Sequence, residues 1–196
     1  MQLHRAATAM ALTVSLFAGA AYAAPARTRG TIEQVSDNSI TLKTRAGATA
    51  TMALAGDTKV IAITHAQIAD IKPNSYIGSA AVPQPDGTLR ALDVQVFDQS
   101  LRGSGEGNYP WDSAPHTSMT NGTVGKLAGS TGRTMTVTYK GGQKTIVVPA
   151  NVPIVTMAPG ERSLLTPGAH VIVFANPAGT AAAAVAVGVD GVVPPM

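Results

Sequence analysis

Arg102, Glu106, Tyr109, Trp111, Asp112 and His116 fall in one stretch of the chain, and Trp111 is its only tryptophan. Aromatic rings beside carboxylates and a guanidinium can line a cleft for an extended ligand such as a glycan or a peptide. Arg102, Glu106, Tyr109, Trp111 and Asp112 are therefore the candidate ligand-binding residues. Glu106, Asp112 and His116 form a second candidate set, because carboxylate with imidazole suits a divalent transition metal. Their spacing is irregular, and a closed zinc site takes four ligands. The third reading is architectural. Trp111 and Tyr109 staple two domains together, while Arg102 pairs with Glu106 or Asp112. A structureless loop of more than about 12–15 residues is usually functional or disordered. A disordered linker rarely carries Tyr-Pro-Trp, so residues 98–120 are expected to be ordered and packed.

Catalytic signatures are missing. The chain has no Gly-x-Ser-x-Gly, no His-Glu-x-x-His and no Walker loop. Gly103-Ser104-Gly105-Glu106-Gly107 is glycine-rich, but Glu106 would repel phosphate. No nucleophile–base pair can be placed, so no enzyme activity and no cofactor are expected beyond the metal alternative. His65 reads as a solvated helix start. His170 falls in a strand where Tyr76 is its counterpart, and the scattered methionines read as core filling.

The elements around this stretch repeat. Arg29-Gly30-Thr31-Ile32 runs parallel to Asn121-Gly122-Thr123-Val124, and Ser39–Thr44 to Thr134–Tyr139. Further on, Pro73-Asn74-Ser75-Tyr76 matches Pro167-Gly168-Ala169-His170. Each copy alternates with period two, the pattern of strands with one face inward. A short helix is expected near Thr64–Asp70, capped by Thr64, and another near Gly160–Leu165. Three meander strands, a helix and two closing strands make an OB-like layout. The expected fold is all-β, with two tandem OB-like small barrels at residues 24–97 and 121–190. The ordered linker 98–120 joins them, and a tail, 191–196, follows.

Residues 1–23 read as a signal peptide, with a basic start, an apolar run and Ala21-Tyr22-Ala23 before the cleavage point. A periplasmic or secreted location is expected, with no membrane span in the mature chain. No cysteine is present, so core burial alone must hold the fold. The chain is 45% hydrophobic and 13% charged, which excludes compositional disorder. The net charge of +3 is scattered without a basic stripe, which argues against a nucleic-acid partner.

The Gly-x-Ile/Val starts, the Thr-rich second strands and the later Lys/Thr-Pro-Asn/Gly resemble small β-barrel domains of unknown function in exported bacterial proteins. With Gly105-Glu106-Gly107 through Pro110-Trp111-Asp112, and with Gly191–Pro195, the whole chain is similar to uncharacterised periplasmic proteins of Gram-negative bacteria. Some of those carry the label "metal ABC transporter permease". That label implies a multi-span channel, whereas only the leader here is long and apolar. The resemblance implies a fold and a compartment but no catalytic residues. The expected function is a non-enzymatic periplasmic binding or scaffold protein for an unknown ligand or protein. The alternative is a divalent-metal factor using residues 102–116.

Overall fold

A computed structural model describes residues 27–128 and 133–195. The expected signal sequence lies outside them. The chain is all-β. Its strands are β1 (Arg27–Val35), β2 (Ser39–Thr44), β3 (Thr49–His65), β4 (Tyr76–Pro83), β5 (Leu89–Ala91), β6 (Val94–Phe97) and β7 (Gly107–Pro110). They continue as β8 (Ser118–Ala128), β9 (Thr134–Tyr139), β10 (Gly142–Val147), β11 (Ile154–Pro159), β12 (His170–Ala175) and β13 (Ala181–Gly188).

Alternation builds them as expected. In β2, Ile40 and Leu42 point inward, and in β9 Met135 and Val137 do so, all fully buried. The outward threonines fit the pleat. The helical segments are only short 3-10 turns, Ile68–Asp70 and Arg162–Leu164. Thr64 is not a cap. It lies in β3, pairs with Thr156 of β11, and leaves Gln67 to start the turn. His65 likewise sits in β3, opposite Val155. Pairing with a distant strand overrides the local helical preference here.

Strands β1, β2, β3, β13 and β12 close a five-stranded barrel, with β3 and β13 parallel. Strands β8, β9, β10, β5 and β4 close a second ring in the same order, with β10 and β5 parallel. The strands of each ring come from both 24–97 and 121–190, not from one stretch apiece as the sequence suggests. Three strands of one stretch are completed by the closing hairpin of the other. The seventeen-residue β3 carries the chain from one ring to the next, and β11 carries it back beside β3.

The same contacts recur in both rings. Ile32 N donates to Ala169 O, and Val124 N to Ser75 O. Gly168 N donates to Ile32 O, and Asn74 N to Val124 O. Two glycines explain the close approach of strands. A Cβ at Gly30 would stand 2.3 Å from Lys43 O, and one at Gly122 would stand 2.4 Å from Thr138 O.

Each ring has its own apolar core. Ile32, Leu42, Val173 and Val185 pack inside the first, and Ile77, Val94, Met135 and Ile146 inside the second. A third cluster lies between the rings. Ile63, Val155, Met157 and Ile172 form it, with Phe97, Trp111 and Phe174 packed against it. Val192 of the C-terminal tail is buried in this cluster too.

Candidate ligand-binding cleft

Segment 98–117 leaves the second ring, crosses the junction and returns as β7 along β8. Tyr109 pairs with Met119, and Trp111 N donates to Thr117 O at 2.9 Å. Thr117 Oγ1 donates to Ala114 O at 2.7 Å, which closes the following turn. These bonds set the Trp111 ring against the inter-ring cluster. The Arg27 guanidinium covers the ring at 3.7 Å from its centroid, and the Tyr109 ring lies 6.1 Å away.

Asp112 reaches back to β1. Arg29 grips it with both guanidinium nitrogens, at 2.8 and 3.1 Å, and Arg27 Nε lies at 3.4 Å. The Arg29 hydrogen bonds hold the Asp112 carboxyl below its usual range. Arg102 is paired with neither acid. It donates to Thr123 Oγ1 at 3.0 Å and to Asn74 O, and its guanidinium stands over the Tyr76 ring. Glu106 accepts from Lys140 N at 3.0 Å. Burial pushes the Tyr76 hydroxyl up to about 12, with the Glu106 charge adding to it. Tyr76 still donates to Ser104 O at 3.1 Å.

The metal set does not assemble. Glu106 is engaged on the second ring and Asp112 on the first, while His116 sits exposed in the 111–117 turn at φ 60°. Among the described residues, no three His, Asp or Glu side chains stand close enough to share an ion.

Of the candidate ligand-binding residues, Tyr109 and Trp111 line a cavity, and Arg102, Glu106 and Asp112 are tied into the frame around it. The cavity is a cleft of about 230 Å³ at the junction of the rings. Phe97, Met119, Met157 and Phe174 supply apolar walls, and Gln95 and Asn121 supply polar ones. Asn121 is 6% exposed, and its Nδ2 donates to Gly105 O at 3.0 Å and to Tyr109 Oη at 3.1 Å. Its Oδ1 is buried without a partner, and so is Trp111 Nε1. Buried polar atoms left unpaired cost about 1–3 kcal/mol each. No family model, curated protein or solved structure matches the chain.

Gly78 lets Asn121, Gln95 and Phe97 pack directly against the backbone of β4. A Cβ at Gly78 would stand 2.5 Å from both Asn121 Oδ1 and Gln95 Oε1. Gln95, 1% exposed, donates through Nε2 to Asp93 Oδ1 at 2.5 Å. Asp93 is itself buried and accepts from Ala80 N at 3.0 Å. Burial raises its pKa to about 6 in spite of those donors. Sequence reasoning missed Gly78, Gln95 and Asn121. Gln95 did leave a signal, a polar residue in the run Val94-Gln95-Val96-Phe97. Asn121 read only as a strand start. Among the described residues, no helix is long and apolar enough to cross a membrane.

Proposed function

We propose that this chain is an exported, non-enzymatic binding protein of the bacterial periplasm, and that its ligand seats in the cleft between the rings. One observation carries the reading. The cleft is apolar on most sides, yet it holds a buried donor, Trp111 Nε1, and a buried acceptor, Asn121 Oδ1, that no protein group pairs. Ligand sites have this character, with apolar walls and few convergent polar groups. The leader at residues 1–23 supports export. The order of pairings in each ring, with its one parallel pair, supports a duplicated OB-like unit whose copies have exchanged their closing hairpins.

The test is calorimetric titration of residues 24–196 with N-phenyl-1-naphthylamine, a neutral aromatic probe. One site per chain is expected. At a hundredfold excess over Kd the fold gains about 2.7 kcal/mol, read as a rise in Tm. Ala184→Phe grows from the cleft wall and is expected to weaken binding by about tenfold or more while circular dichroism stays native. Failure of the probe to bind, or equal binding to Ala184→Phe, overturns the reading.

A further inference from the structure

The sequence spreads its basic residues, and the fold gathers three of them at one corner of the first ring. Arg27 and Arg29 stand two residues apart on β1 and so share a face. The turn after β2 brings Arg45 beside them, where Arg45 N donates to Arg29 O at 3.1 Å. All three line one open groove of about 420 Å³, and Asp112 is the only acid on its walls. Arg29 takes both oxygens of that carboxylate, at 2.8 and 3.1 Å, while Arg27 reaches it through Nε at 3.4 Å. Among the described residues, the Arg45 side chain meets only a carbonyl, Pro194 O, at 3.4 Å. One carboxylate thus balances one of three guanidinium groups, and the walls keep an excess of positive charge. The Arg27 side chain is only 9% exposed, so water screens its charge poorly.

The corresponding corner of the second ring carries no such excess. Gly30 faces Lys43 O and Gly122 faces Thr138 O. Met119 and Asn121 therefore stand where Arg27 and Arg29 do, and Lys140 where Arg45 does. There a single cation has a single acid for a neighbour, Glu106, which accepts from Lys140 N. The charge excess belongs to the residues of the first ring and not to the way the strands meet. We propose that the groove binds a phosphate-group dianion. Two unbalanced guanidinium groups match two negative charges, whereas a carboxylate supplies one. Guanidinium forks suit phosphate oxygens, and Thr44 and Ser113 bring hydroxyl donors to the same walls. The groove shares no lining residue with the cleft, so this site stands or falls apart from it.

Three probes of similar size test the class by calorimetry. At about pH 7.5 phenyl phosphate is a dianion, methyl phenyl phosphate is a monoanion, and benzoate is a carboxylate. One phenyl phosphate per chain is expected, bound about tenfold or more tighter than either monoanion and weakened by added salt. Arg45→Gln is expected to lose that advantage while its circular dichroism stays native. Arg45→Lys keeps the charge without the fork and is expected to fall between. Lys126→Gln removes the same charge from an exposed position on β8 and is expected to leave the affinity unchanged. No binding of phenyl phosphate, equal binding of the three anions, or equal losses in Arg45→Gln and Lys126→Gln overturns the proposal. Vesicles of phosphatidylcholine with phosphatidic acid separate the sources of the phosphate group. Sedimentation with these vesicles, lost in Arg45→Gln, assigns a lipid headgroup. Phenyl phosphate binding without such sedimentation assigns a soluble phosphomonoester.

Discussion

The two rings close in the same order of strands, yet they differ in what they bury. The first encloses apolar side chains throughout. Among the described residues, the buried polar side chains are Ser79, Thr120 and Asn121 on the second ring, Asp93 and Gln95 on the β5–β6 stretch beside it, and Thr117 in the segment that covers it. One matched pair of positions shows the divergence. In the second ring Gly78 stands opposite Gln95, and at the matching place in the first Ile172 stands opposite Ala186. One ring pairs large-apolar with small, and the other pairs small with large-polar. The first puts Ile172 into the junction cluster, and the second brings the hydrogen-bonding side chains of Gln95 and Asn121 against Gly78.

Separating the units is the most severe way to break the comparison. Each ring lacks two strands when only one stretch is present, so residues 24–113 alone are expected to remain unfolded, as are residues 114–196. Mixed together they are expected to recover the native circular dichroism spectrum. A folded 24–113 fragment would contradict the exchange of hairpins.

The next effect is local and should be equal in both rings. Gly30→Ala and Gly122→Ala each drive a Cβ into a backbone oxygen that cannot step aside. Each is expected to destabilise by about 3 kcal/mol in chemical denaturation. A cost in one and not in the other would break the proposed equivalence.

Acidity distinguishes the rings further. Asp93 has a folded-state pKa of about 6, above the 3.8 of an unperturbed carboxyl, because burial favours the neutral form. The folded state therefore holds the proton more tightly. The contribution of Asp93 to stability, about 3 kcal/mol, is fully present below about pH 4 and is lost as pH rises to about 6. Asp93→Asn is expected to flatten this decline in urea titrations between pH 4 and 7. Asp112 works in the opposite sense. Its pKa is lowered from 3.8, first by the Arg29 hydrogen bonds, so its contribution is present above that value and lost as pH falls further. Asp112→Ala is expected to cost about 2 kcal/mol at pH 7, because the largely covered Arg27 and Arg29 lose this ion pair. At pH 2 the variant should approach the wild type.

The strands and their inward faces were legible because period-two alternation is a local property. The exchange of hairpins was not legible. A closing hairpin buries the same residues whether it completes its own ring or the neighbouring one, so sequence pattern cannot tell the two apart. Trp111 and Tyr109 stood out by type, and they do line the cleft. The partners of the charged residues did not follow from spacing. Arg102 meets Asn74 and Thr123, and Asp112 meets Arg27 and Arg29, across folds of chain that only the ring closure brings together. Asn121 was hidden by its polarity, which at a strand start suggests exposure rather than a buried acceptor.

The central claim is that the junction beside Trp111 takes a ligand, and Trp111 itself reports on it. N-phenyl-1-naphthylamine absorbs where tryptophan emits, so a molecule in the cleft must quench the only tryptophan of the chain. Titration of residues 24–196 is predicted to quench Trp111 emission nearly completely, with one probe per chain and the same midpoint as the calorimetric isotherm. Calorimetric binding that leaves Trp111 emission unchanged would contradict the account, because the ligand would then lie elsewhere.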